Sequence, residues 1–352
     1  MKKNSNLEKE IKINKRKIGK NHKPYLIVEA CVNHQGDFSI AKKMVRYAKT
    51  IGADCIKFQH HILNEEMLRE VPKSKNFKVS LWDVIKKTNF TLKQHKELKM
   101  LCDKIKIEYL CTPFSIKAAD ELNSIGVRAF KTGSGELTNL PFIEHLAKIG
   151  KPVILSTGMS YPKEIAESVK ILKKNKTPFS IMHCVSAYPC PYEIMNLNNI
   201  NILEKKFAVP VGLSDHTPSI YNSLGAVSLG ASLIEKHFTF NKKLSGPDHK
   251  SSIDGQELKN LVQGVEANFL ARGFEKKIFK AEQEIVNWAR ESVVTIKSIK
   301  KGDKLTKSNI SVKRPSPQRG EIPAKFFKNI LNKKIISSLG ENKKLKWRDI
   351  KK

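Results

Sequence analysis

Two histidines, His216 and His237, close two apolar strand-like runs, AVPVGL (208–213) and ASLIEKHF (231–238). Between them YNSLGAVSLG spaces Leu224, Val227 and Leu229 for a helix that Gly230 ends. A strand–helix–strand unit makes its two strands parallel neighbours, so both imidazoles leave the same edge of a sheet, where ligand sites of α/β proteins form. Asp215, Glu235, Asp248 and His249 belong to that edge. The set suits one divalent metal held by His216 and His237 with waters. The plain alternative is a pair of ordinary histidines at strand ends.

The other chemistry-bearing residues recur in the same way, after each strand-like run. They are Glu29, Asn33 and His34; Lys57 and Gln59; Thr112; Lys131, Ser134 and Glu136; Ser156 and Thr157; Ser186 and Tyr188; and Ser214. A buried strand has little structural use for Lys57 or Lys131, because an unpaired ammonium is costly to desolvate. Pairing with Glu29 or Glu136 would be the structural explanation. Two lysines with the hydroxyls of Thr112, Ser134, Ser156 and Ser214 suit a phosphate together with a carboxylate. A metal on two histidines suits activation of a carbonyl oxygen or a water. Glu136, in GSGE, has the chemistry of a general base or acid. Together these point to carbon–carbon bond formation with a phosphorylated three-carbon acid, while an aldolase, an isomerase or a metal-dependent hydrolase stays open.

The elements that must position these groups follow from hydrophobic rhythm. Strand-like runs at 25–30, 54–59, 107–111, 127–131, 152–156, 178–184, 208–213 and 231–237 alternate with helical patterns, the first at 38–53 and the last at 254–270. Eight strand–helix repeats within about 250 residues predict a (β/α)8 TIM barrel over 24–271. The runner-up, an open doubly wound sheet, would need a glycine fingerprint after its first strand, and EACVNHQGD is not one. Residues 60–90 break the rhythm and read as a rim or lid. Residues 1–23 read as a basic arm in which Ile11, Ile13 and Ile18 could pack as an edge strand. Residues 272–290 read as a helical linker, and 291–352, with KKGD turns and short β-type runs, as a small mostly-β domain.

Composition sets limits. The formal charge is +31, but the lysines are spread along the chain at solvent-facing helix positions such as Lys42, Lys43, Lys170, Lys173 and Lys174. No nucleic-acid motif accompanies them, so a solvated surface that draws in a small anionic substrate is expected rather than a nucleic-acid partner. No apolar run is long enough to span a membrane. Cysteines 31, 55, 102, 111, 184 and 190 form no CxxC pair and read as reduced thiols of a cytoplasmic protein.

Over 24–352 the chain resembles the sialic acid synthases, the N-acetylneuraminate and related nonulosonate synthases with a C-terminal antifreeze-like (SAF) domain. The matching stretches, in order, are EACVNHQGD, GADCIKFQ, CTPF, FKTGSGELTN, ILSTGM, HCVSAYPCPYE, GLSDHT, LIEKHFT, GPDHKSSID and VKRP. The resemblance implies condensation of phosphoenolpyruvate with an open-chain N-acetylmannosamine-type sugar to a nine-carbon 2-keto sugar acid, with phosphate released. The alternative acceptor is a 2,4-diacetamido-2,4,6-trideoxy sugar, as in N,N'-diacetyllegionaminate synthesis. It also implies a divalent metal, Mn2+ or Mg2+, on His216 and His237. Phosphoenolpyruvate would lie on Lys57, Thr112, Lys131, Ser134, Ser156 and Ser214, with Ser186 where an asparagine is common. The sugar would meet Gln59, Tyr188 and Asp248, with Glu29 and Glu136 at the reacting centre. In this family the small domain of one subunit caps its partner's barrel in a domain-swapped homodimer, and Arg314 would reach the acetamido group, with Arg319 a rival. Cys31 departs from the resemblance, standing where glycine is usual.

Overall fold

A computed structural model describes residues 10–70, 79–273 and 275–351. Eight parallel strands form a nearly closed barrel: β1 (Tyr25–Glu29), β2 (Cys55–His60), β3 (Glu108–Pro113), β4 (Phe130–Lys131), β5 (Val153–Ser156), β6 (Phe179–Cys184), β7 (Val211–Asp215) and β8 (Leu233–His237). Their order is β3-β2-β1-β8-β7-β6-β5-β4, so the first and last strands are neighbours and the seam lies between β3 and β4. In the β1–β8 ladder His237 stands opposite Glu29. The TIM-barrel expectation and the strand positions agree with this ring. β4 is shorter than the run at 127–131 suggested.

Alternation along each strand sorts its side chains. Leu26 and Val28 of β1 join the layer between strands and helices, whereas Tyr25 and Ile27 face the lumen with Cys55, Leu110, Ile154, Met182 and Leu233. The helices supply the outer layer through one apolar stripe each. In Phe38–Thr50 the buried residues are Ala41, Met44, Val45 and Ala48, the spacing of one helical face, and Asp37 caps the start by accepting from the Ser39 and Ile40 amides. The closing helix, Gly255–Ala271, begins in a capping box of Asp254 and Glu257.

The lysine-rich start corrects the expectation of a loose arm or edge strand. From Glu10 it forms an antiparallel hairpin, Glu10–Ile13 with Arg16–Gly19. Ile11, Ile13 and Ile18 are buried among the lumen residues and close the barrel floor. Each buried isoleucine contributes about 1.5–3 kcal/mol of transfer free energy. Residues 1–9 lie outside the described residues. In the 60–90 insertion, helices Leu63–Glu66 and Leu81–Thr88 are described and residues 71–78 are not.

Contacts divide the chain after Gly273. The second unit holds the helix Gln283–Ala289, which lies in the segment read as a linker, and the antiparallel pair Ser292–Thr295 and Ile310–Lys313. Its core is built on Val293, Ile299, Leu305, Ile310, Ile322, Ile335 and Leu345. The six cysteines are buried and unpaired.

Candidate functional site

The alternation that fills the floor with apolar side chains continues to the C-terminal ends of the strands and turns polar there. One pleat beyond Ile27, Cys55, Leu110, Ala129 and Leu233 stand Glu29, Lys57, Thr112, Lys131 and Glu235. They line a cavity of about 600 Å³ at the barrel mouth. Ser134, Glu136, Ser156, Ser186, Tyr188 and Ser214 line it as well, with Gln59, His216, His237 and Asp248. Arg314 belongs to the second unit, where its Nε donates to the Ala289 carbonyl at 3.1 Å and its guanidinium lies over the Trp288 ring. Asn33 and His34 are not part of the wall. Asn33 ties its loop to the Phe238 carbonyl and the Ser252 hydroxyl, and His34 stacks on Phe90.

At the base of the cavity two ammonium groups meet two carboxylates. Lys57 contacts Glu29 directly, lies 3.9 Å from Glu235 and donates to the Thr112 hydroxyl at 3.2 Å. Lys131 pairs with Glu235 at 3.3 Å, not with Glu136, and Ser214 donates to the same carboxylate. Burial alone would push Glu235 up, but Lys131 and Lys57 outweigh it and hold the carboxyl below its ordinary range. Burial likewise works against charged Lys57, yet Glu235 and Glu29 keep its pKa raised. For Glu29 burial wins over Lys57, and its pKa rises to about 7. The cluster sets two ammonium groups against two carboxyls, and anionic groups of a ligand can replace these carboxyls as partners of the lysines.

Beside it the hydroxyls of Ser134 and Ser156 lie 3.1 Å apart, and the Gly158 amide donates to Ser134 Oγ at 3.1 Å. A Cβ at Gly158 would press on the Ser186 and Ser134 hydroxyls, the latter at 2.7 Å, so a larger residue there would turn both away from the cavity. Glu136 presents a buried Oε2 that has no hydrogen-bond partner among the described residues, and burial pushes its pKa to about 7.

The two histidines meet where β7 and β8 end. Their ring centroids are 5.3 Å apart at an interplanar angle of 69°, and Tyr188 packs on His216 at 4.1 Å. His216 Nδ1 donates to the Val185 carbonyl at 2.8 Å, which fixes the ring and leaves Nε2 for another partner. Its loop is anchored from behind. Asp215 accepts from the Thr217 amide and hydroxyl and from Ser223, and pairs with Lys236 at 3.2 Å in a fully buried ion pair. His237 is buried, and its Nδ1 lacks a partner among the described residues. Burial, with His216 and Lys57 nearby, holds its pKa well below the ordinary value, so the ring is neutral, the form that ligates metals. One ligand atom each from Cys31, His237 and Asp248 lies within 4.8 Å of the others. An orphaned imidazole nitrogen, a carboxylate and a thiol in one buried corner fit a divalent cation.

Residue spacing missed Cys184. It ends β6 in PFSIMHC, a mostly apolar run, buried throughout the strand, that reads as core. Its Sγ is 3.8 Å from His216 Nδ1, and although burial raises a thiol, that imidazole brings this one to about 7. Counting by twos from Met182 would have placed it in the lumen. The outer flank was missed too. Met67, Leu81, Val84, Ile85, Phe114 and Met159 give the cavity an apolar side, four of them from the 60–90 insertion whose broken rhythm marks a rim or lid.

Fold and cavity together define a (β/α)8 barrel whose mouth sets two buried lysines beside a corner of candidate metal ligands. Residues 44–277 match the NeuB family and residues 290–351 the SAF domain. The chain belongs to the NeuB family of nonulosonate synthases, the group that includes sialic, legionaminic and pseudaminic acid synthases. It is 41% identical over 304 residues to the N,N'-diacetyllegionaminic acid synthase of Campylobacter jejuni, covering 84% of this chain and 91% of that protein. It is 33% identical over 332 residues to the human N-acetylneuraminate-9-phosphate synthase, 92% of each chain. The crystal structure of the N-acetylneuraminic acid synthetase of Leptospira borgpetersenii superposes with a TM-score of 0.73 at 36% identity, covering 79% of this chain and 95% of that one.

Proposed function

We propose that this protein condenses phosphoenolpyruvate with the open-chain aldehyde of an N-acetylated mannosamine-type sugar, releasing phosphate and a nine-carbon 2-keto sugar acid. The observation that carries this reading is the strand alternation that turns Lys57, Lys131, Thr112, Ser156, Ser214 and His237 into one cavity. Lys57 and Lys131 bind the phosphate and carboxylate of phosphoenolpyruvate, with Thr112, Ser134, Ser156, Ser186 and Ser214 directing its oxygens. Gln59, Tyr188 and Asp248 orient the sugar, Asp248 with the carboxylate oxygen that the metal corner does not use. His216 and His237 would hold a divalent metal, Mn2+ or Mg2+, which would supply Lewis-acid polarisation of the aldehyde oxygen. C3 of phosphoenolpyruvate bonds to the aldehyde carbon, the aldehyde oxygen takes a proton from solvent to become a hydroxyl, and the positive charge left at C2 faces Glu29 and Glu235. Water adds at C2 as Glu136 takes its proton, and the tetrahedral adduct expels phosphate by C–O cleavage.

The acceptor proposed first is N-acetylmannosamine, giving N-acetylneuraminate. A second acceptor, a 2,4-diacetamido-2,4,6-trideoxy sugar, is favoured by the apolar flank at Met67, Leu81, Val84, Ile85 and Phe114, since that sugar carries two acetyl methyls and a C6 methyl. The relative from C. jejuni bears a name of this second kind. Phosphate release from phosphoenolpyruvate with Mn2+ and a panel of N-acetylated aldoses decides between them. Silence with every sugar, combined with salt-sensitive anion binding, would mean a non-catalytic barrel.

The SAF domain is read as a cap supplied by a second copy, with Arg314 reaching the partner's sugar site in a homodimer. Inactive His216→Ala and Arg314→Ala chains should then regain activity when co-refolded, because a mixed dimer holds one intact composite site. Failure to complement would remove that reading.

A further inference from the structure

We propose that Cys31 is a thiolate ligand of the metal in this chain, which makes the site sulfur-containing and shifts its preference toward softer cations such as Zn2+ or Co2+. The proposal rests on the reading of His237 as a metal ligand and is independent of the reaction. Cys31 follows β1 with φ 42, in the left-handed region that glycine occupies freely and that a cysteine adopts only under strain. Its amide donates to Glu29 Oε1 at 2.9 Å, which fixes the turn over the barrel mouth. A strained conformation kept by a side chain that glycine would relieve is accounted for if that side chain is used. The second observation is the imidazole it faces. His237 is 5% exposed, its Nδ1 is unpartnered among the described residues, and one of its ring nitrogens lies within 4.8 Å of both Cys31 Sγ and an Asp248 oxygen. Donors gathered within that limit are close enough to converge on one first-row cation, whose bonds to them would be about 2.0–2.3 Å. Sulfur, nitrogen and oxygen together select against Mg2+, which takes oxygen ligands, and toward zinc-like ions. On binding, the thiol releases its proton to solvent.

Cobalt(II) titration of the whole protein reads the ligand directly, without turnover. The wild type should show a near-ultraviolet sulfur-to-cobalt charge-transfer band. Cys31→Ser and Cys31→Gly should lose the band, the glycine variant being the one relieved of backbone strain and expected to fold, as circular dichroism would verify. Cys184→Ser, which removes the thiol beside His216, should keep it. Zn2+ affinity should fall on the order of 10–100-fold in Cys31→Gly, while Mg2+ affinity changes by less than about threefold. Bound cobalt without a sulfur band, or a band lost in Cys184→Ser and retained in Cys31→Gly, overturns the proposal. Absence of cobalt binding altogether overturns the two-histidine site as well, so the two failures are distinguishable.

Discussion

At the barrel floor Ile11, Ile13 and Ile18 of the hairpin meet Tyr25, Ile27 and Leu233, all nearly inaccessible to solvent. One pleat further along the same strands stand Glu29 and Glu235, and beyond the latter His237, in a cavity of about 600 Å³. Both ends are buried, and they are buried for different reasons. The floor is a sealed apolar contact that gains free energy from every methyl group. The mouth collects ammonium, carboxylate and imidazole groups whose desolvation is only partly compensated, with Glu136 Oε2 and His237 Nδ1 left unpartnered among the described residues. Stability and function thus occupy opposite ends of the same strands, as this barrel architecture favours.

The largest effect should break that division. Asp215 sits at the mouth but points outward into a buried pair with Lys236, so it belongs to stability. Asp215→Ala should cost about 3–5 kcal/mol by stranding the lysine, seen as a lowered midpoint in urea unfolding. Conversely, His216→Ala and His237→Ala should cut phosphate release on the order of 10³-fold, or about 4 kcal/mol of transition-state stabilisation, with the unfolding midpoint preserved. Thorough chelation should reproduce that loss in the wild type, and re-added metal should reverse it. At the floor, Ile18→Ala should cost about 2–4 kcal/mol of stability and leave kcat/KM unchanged, which steady-state kinetics on the folded fraction would check. The smallest effect sharpens the chemistry. Glu136 as base must be ionised, and burial raises its pKa to about 7, so kcat/KM should rise with pH through neutrality and level off above it. Glu136→Gln should lower the plateau by about 10²-fold and remove that limb. Persistence of the limb would transfer it to Glu29, whose pKa is also raised to about 7.

Much of the mouth was legible because a strand repeats every two residues. Once Lys57 and Lys131 are placed at the ends of apolar runs, their lumen-facing position follows. Cys184 was hidden because polar residues, Ser180 and His183, fall on both faces of a strand buried throughout, so the period carried no contrast. The hairpin was hidden for the opposite reason. Its isoleucines alternate with lysines in EIKI and RKIG, a pattern that reads as a surface strand until the open lower end of a barrel is there to receive it. The apolar flank at Leu81, Val84 and Ile85 looked like an ordinary helix face, and only its position beside the cavity gives it a role.

The order of residues by itself determined the strand–helix rhythm, the identity of the groups at each strand end and the family to which the chain belongs, since these depend on local periodicity and spacing. Tertiary structure alone decided which of those groups meet. Lys131 faces Glu235 rather than Glu136, and Cys31 faces His237 and Asp248, because closure sets β1 beside β8 with Glu29 opposite His237. Such pairings depend on the strand order around the ring, a long-range property that no local pattern encodes.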